Sequence, residues 1–72
     1  MTIVVRVTLE NGNNWVTPIN ADFPESVTYY FHAGGFEQRD GSVSPVVRVE
    51  QLDPNGAVVA VMTADEFFRK TI

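Results

Sequence analysis

The sequence has no cysteine, one histidine and only five cations in 72 residues, and no apolar run approaches the length of a membrane span. Each shortage excludes something. Without thiols there is no disulfide scaffold and no zinc site of the usual cysteine kind, and the lack fits a reducing compartment. A lone His32 cannot make a two-histidine metal site within one chain, so neither metal nor cofactor is expected. Crossing a bilayer takes roughly 18 to 20 consecutive apolar residues, and the first residues also lack the basic start and cleavage site of a signal peptide. The expectation is a soluble, cytoplasmic protein without a membrane partner. Arg6, Arg39, Arg48, Arg69 and Lys70 are mostly dispersed and outnumbered by nine acids, giving a net charge of -4. A phosphate backbone would repel such a chain, so nucleic acid is not an expected partner. The acids are themselves scattered and interrupted by Arg6, Arg39 and Arg48, which argues against a mimic of DNA.

The length allows one domain, residues 1–72. Burying about 7,000 Å², roughly 60% of it apolar, contributes about 105 kcal/mol, against about 108 kcal/mol for ordering the chain. So close a balance gives weight to stabilisation by a partner or by a second copy.

What the sequence does have is alternation. Ile3, Val5, Val7 and Leu9 point one way while Val4, Arg6 and Thr8 point the other, a strand. Glu10-Asn11-Gly12-Asn13-Asn14 supplies residues that tolerate positive φ and makes a hairpin into a second strand, about Trp15 to Ile19. Pro18 cannot donate to a ladder and places that strand at a sheet edge. Asp22 then reads as an N-cap with Glu25 as its capping-box partner. The helix it opens runs to about Ala33, burying Phe23, Val27, Tyr30 and Phe31 as one stripe, with Gly34 at the left-handed position that closes it. Phe36 to Ser44 is turn-rich and reads as a loop. Pro45 to Leu52 is a third strand, with Val47 and Val49 on one face and Val46, Arg48 and Glu50 on the other. Asp53-Pro54-Asn55-Gly56 is a turn, and Ala57 to Met62 a fourth, wholly apolar strand. Thr63-Ala64-Asp65-Glu66 repeats the capping pattern and starts a short helix, with Ala64, Phe68 and Ile72 on one face and Arg69 and Lys70 suiting its C-terminal dipole.

This order, β-β-α-β-β-α, predicts an α+β fold: a four-stranded antiparallel sheet of order 2-1-3-4 with both helices on one face.

No catalytic residue is assigned. His32 with Asp40 and Ser42 or Ser44 has the residue types of a triad, but a domain this small rarely supplies the pocket and oxyanion hole as well; a helix-end histidine is the plainer reading. Gly34-Gly35 closes a helix rather than opening one, so it is no phosphate loop. Asp53-Pro54-Asn55-Gly56 lacks the spacing and closing glutamate of a calcium loop. Two surfaces remain. Trp15, Tyr29 and Phe36 are not needed by the helix stripe and form a partner-binding patch, with the alternative that Trp15 and Phe36 cap the end of a small core. Val4, Val46, Val58 and Met62 would share the face opposite the first helix, where Arg6 and Glu50 can pair across strands. The apolar fourth strand at an edge invites self-association to a homodimer, through Val4, Val58 and Met62.

The segments Val7-Thr8-Leu9-Glu10-Asn11-Gly12, Trp15-Val16-Thr17, Ile19-Asn20 and Glu25-Ser26-Val27-Thr28-Tyr29-Tyr30-Phe31 resemble small phage-encoded accessory proteins of strand-turn-strand-helix-strand pattern. The resemblance covers less than half of the chain and carries no catalytic residue across. It implies a non-enzymatic module in the host cytoplasm that binds and modulates a host enzyme such as a nuclease complex or RNA polymerase, or else a structural or assembly subunit.

Overall fold

The alternating segments pair into one sheet because each has an apolar side that must leave water and a neighbour of matching length. The computed structural model describes residues 2–70. Strands β1 (Ile3–Leu9) and β2 (Asn14–Ile19) form the first hairpin, followed by helix α1 (Phe23–His32). Two short strands, β3 (Phe36–Glu37) and β4 (Val43–Ser44), lead to β5 (Val46–Leu52), β6 (Val58–Thr63) and helix α2 (Ala64–Lys70). The main sheet has the order β2-β1-β5-β6, antiparallel throughout, so β1 and β5 are central and β2 and β6 are edges.

Both helices pack on one face of this sheet. Ile3, Val5, Val7 and Leu9 of β1 meet Val46 and Val49 of β5, with Val27, Tyr30 and Phe31 of α1 and Phe67 of α2 above them. The two-layer slab measures 33 × 31 × 18 Å, so only one such layer of side chains is fully enclosed. Ser26 is also fully buried, which its hydroxyl tolerates by donating to the Phe23 carbonyl at 2.8 Å.

Several expectations need correction. The stretch 36–44 is not a plain loop: β3 and β4 pair as a second, two-stranded sheet, giving the order β-β-α-β-β-β-β-α. Two residues per strand are too few to leave an alternation signal. Asp22 precedes α1 in extended conformation, yet its side chain caps nothing, so the box with Glu25 does not form. At α2 the cap does form, the Glu66 N–H donating to Thr63 Oγ1 at 3.2 Å. Phe67 rather than Phe68 takes the buried position on α2, Phe68 remaining 47% exposed, because i+3 faces the core as well as i+4 does. Ile72 and the side chain of Lys70 lie outside the described residues.

A bulge between Thr8 and Leu9 on the β1–β5 ladder changes the phase of β5, so Val46 pairs with Leu9 and is buried in the core rather than on the open face. Met62 pairs with Val49, a fully buried residue, and packs against the core as well. It does not share a face with Val4.

Candidate functional site

The structure gathers the aromatic residues at one end of the slab and places Val4 and Val58 on the open face of the sheet, while Val46 and Met62 belong to the core side. The first of these surfaces lies where the β1–β2 turn meets the β3–β4 hairpin. Gly34, at φ 78°, ends α1, and Gly35, at φ 123°, turns the chain so that β3 lies close against β4. A Cβ on Gly35 would sit 2.8 Å from Val43 Cγ1 and 3.0 Å from the Ser44 carbonyl oxygen, so only glycine permits the approach. The buried Ser44 Oγ accepts the Asn11 N–H at 3.1 Å, and the Glu10 N–H donates to the Pro45 carbonyl at 2.9 Å, tying this hairpin to the first turn.

That clamp brings Phe36 onto Trp15, edge to face with ring centroids 5.2 Å apart, while Trp15 stands 6.5 Å from Tyr30 in the same manner. Tyr29 meets Tyr30 at 5.0 Å. Trp15, Tyr29 and Phe36 are thus gathered around one buried ring. Trp15 and Phe36 are only half-exposed and pack against the core; Tyr29, 62% exposed, offers its ring to solvent. Burial pushes the Tyr30 phenol above its usual range, with a smaller push from Tyr29.

The second surface is the face of the sheet away from the helices. Register arranges it in three transverse rows: Pro18, Val4, Leu52 and Val58; Val16, Arg6, Glu50 and Val61; Asn14, Thr8, Arg48 and Thr63. Val58 enters the first row because a second bulge, between Gln51 and Leu52, shifts β6 by one residue. Val59 joins Val4, Leu52 and Pro54 around a shallow, mainly apolar depression. Val4, Val16, Val58, Val59 and Val61 are all exposed.

At the centre sits an ion-paired triad. Arg6 donates through Nε and Nη2 to the two Glu50 oxygens at 2.8 and 3.0 Å, and Arg48 Nε approaches Glu50 Oε1 at 3.4 Å. Glu50 is buried between the arginines, and the Arg6 hydrogen bonds hold its carboxyl below the usual glutamate range; Arg48 adds to this and desolvation opposes it. Arg48 is 47% exposed and has geometry to spare for another acceptor. Two arginines against one glutamate make this face +1 in a chain of net -4. Thr8 Oγ1 in the third row is, among the described residues, buried without a hydrogen-bond partner.

The chain matches no known family model, curated protein or solved structure.

Of the triad-like residues, Asp40 and Ser42 meet, but among the described residues no contact joins His32 to either of them. The exposed His32 ring rests edge-on against Phe67 at 5.2 Å, Asp40 accepts from the Ser42 hydroxyl at 2.6 Å, and Ser44 is engaged with Asn11. The Ser42 contacts keep the Asp40 carboxyl below its usual range. Among the described residues no three of His, Asp and Glu gather as metal ligands, and no helix is long and apolar enough to cross a membrane. Sequence reasoning passed over Val16, Val59 and Val61 as surface residues. The signal for Val16 was present: it lies opposite Arg6, so it shares a face with Arg6 rather than with Trp15.

Proposed function

We propose that this protein is a non-enzymatic binding module that docks on another protein through the open face of its sheet, as an accessory that modulates its partner. The observation that carries this reading is the face itself: exposed valines on three sides of a buried glutamate paired with two arginines, of which Arg48, in the polar third row, has donor capacity to spare. Apolar surface drives association and a desolvated guanidinium selects its partner, so the fitting surface is flat and apolar with a carboxylate near its centre. The chain's other eight acids lie in the turns, the β3–β4 hairpin and the helices, so they do not compete for Arg48 on this face. The phage-type resemblance points to the same accessory role.

A second reading has one observation in its favour. Tyr29 stands exposed against Tyr30, whose ring also meets Trp15 and Phe36, which is the make-up of a small aromatic hot spot.

The protein immobilised as bait in extract of its source cell, with captured species quantified by mass spectrometry, separates the two. Docking on the sheet predicts a discrete captured protein that Arg48→Glu and Val16→Asp each remove and Tyr29→Ala leaves. Loss with Tyr29→Ala alone would move the contact to the aromatic end. Capture insensitive to all three would refute both.

A further inference from the structure

The two edges of the main sheet are built differently. β2 carries Pro18, which has no N–H to offer a neighbour, whereas β6 holds no proline and no charge, and residues 54–64 around it are likewise uncharged. Among the described residues β6 pairs with β5 alone, so its outer row of backbone donors and acceptors is unpaired. Val58, Val59 and Val61 are 42%, 57% and 44% exposed. Natural edges are usually guarded by lysine, proline, an inward charge or a bulge; this one has only the bulge at Val59, and Ala60 to Thr63 beyond it run regularly with no charge or proline.

We propose that β6 pairs antiparallel with β6 of a second copy, about a twofold axis perpendicular to the sheet, making one continuous eight-stranded sheet. The helix layer is what identifies the occupant as a copy of this chain. α2 follows β6 without a linker and packs on both β5 and β6. Strands lie about 4.8 Å apart, so a helix straddling β5 and β6 sits about half a spacing inside the edge, and its twofold mate lies about 10 Å away. That is close to the 8–10 Å at which two helices pack. The same axis reverses every direction in the plane of the sheet, so the two α2 helices run antiparallel. Asp65 and Glu66, in the first turn, then come alongside Arg69 in the last turn of the other copy. Within one chain Arg69 Nη2 stands 3.9 Å from Asp65, with both side chains over four-fifths exposed, so the arginine is free to exchange partners.

The seam is small. Six residues span roughly 20 Å, and the slab is 18 Å deep, a footprint of about 360 Å² per copy against about 800 Å² in a standard interface. The dimer is therefore weak, dissociating in the range of roughly 10 μM to 1 mM. It leaves the open faces coplanar and uncovered, and it needs no other partner, so its test is independent of the docking role.

Light scattering coupled to size exclusion, on the full chain from about 10 μM to about 1 mM, reads it directly. The mean mass should climb from one chain towards two. Val61→Asp and Val59→Lys, both at exposed positions and checked for folding by circular dichroism, should weaken association at least roughly tenfold by placing a charge in the seam. Val16→Asp, on the opposite edge, should leave it unchanged. Arg69→Glu should weaken it, and adding Asp65→Arg should restore it. A wild-type chain that stays monomeric at about 1 mM overturns the proposal. So does a dimer indifferent to both β6 variants, or one dispersed by Val16→Asp.

Discussion

Replacing Gly35 with alanine tests the account of how the aromatic end is held. At φ 123° an alanine is strained whatever space surrounds it, which costs about 1–3 kcal/mol. Its methyl carbon would also lie 2.8 Å from Val43 Cγ1 and 3.0 Å from the Ser44 carbonyl oxygen. Ser44 cannot retreat easily, being buried with its hydroxyl engaged by Asn11. Relief must come from parting β3 and β4, which draws Phe36 from Trp15 and adds about 1–2 kcal/mol for a half-buried ring. Together Gly35→Ala should cost about 2–5 kcal/mol, a large share of the roughly 4–11 kcal/mol expected for a domain this small, and lower Tm by about 10–35 °C. Gly34 is the internal control: at φ 78° a Cβ there would meet nothing within 4 Å, so Gly34→Ala should cost only about 1 kcal/mol. Urea denaturation followed by the fluorescence of Trp15, the sole tryptophan, measures both. Equal losses for the two variants, or a milder one at Gly35, would refute the close-approach argument.

Phe36→Ala should destabilise by about 1–2 kcal/mol and shift Trp15 emission to the red, since the ring 5.2 Å away shields it; unchanged emission would mean that Phe36 shields nothing. Arg6→Ala should be less stable than wild type at pH 7, because Glu50 would keep only the 3.4 Å approach of Arg48. The sign with pH follows from the depressed Glu50 carboxyl: its contribution is complete above about pH 4.5 and lost as pH falls through the lower folded value. The gap between wild type and Arg6→Ala in thermal melts should therefore narrow below that pH, and a gap constant from pH 7 to pH 3 would contradict the triad. Thr63→Ala should cost about 1 kcal/mol by removing the α2 cap, visible as faster exchange of the Glu66 amide.

The sheet was legible because its strands obey simple alternation: Ile3, Val5, Val7 and Leu9 declare a buried side, and turn residues mark both hairpins, down to the Asp53 carboxylate that accepts the N–H groups of Asn55 and Ala57. The Arg6–Glu50 pair was readable from the same logic once the strand order followed. What escaped were departures from period two. A bulge adds one residue and inverts everything beyond it, which is how Val46 reached the core. Met62 was lost in the same way: a spacing of four positions would keep it on the face of Val58, and the bulge between them inverts it. The β3–β4 pair depends on contacts with the first turn that no local pattern encodes. Of the candidate site, clustering of Trp15, Tyr29 and Phe36 was anticipated, but their unequal exposure depends on how far the hairpin folds over the slab.

The strand order has a practical consequence. β1, β2 and α1 make a hairpin followed by a helix, and β5, β6 and α2 make another; the central β1–β5 ladder is the seam between them, with β3–β4 spliced into the connection. Asp40 and Gly41, at the tip of that splice, are exposed. A backbone cut there leaves each fragment with one complete hairpin-helix unit and with the strand that the other unit needs. Co-expressed as separate polypeptides, the fragments should reassemble along β1 and β5, with the ion pair between Arg6 and Glu50 fixing the register, and the chain becomes a complementation reporter divided at Gly41.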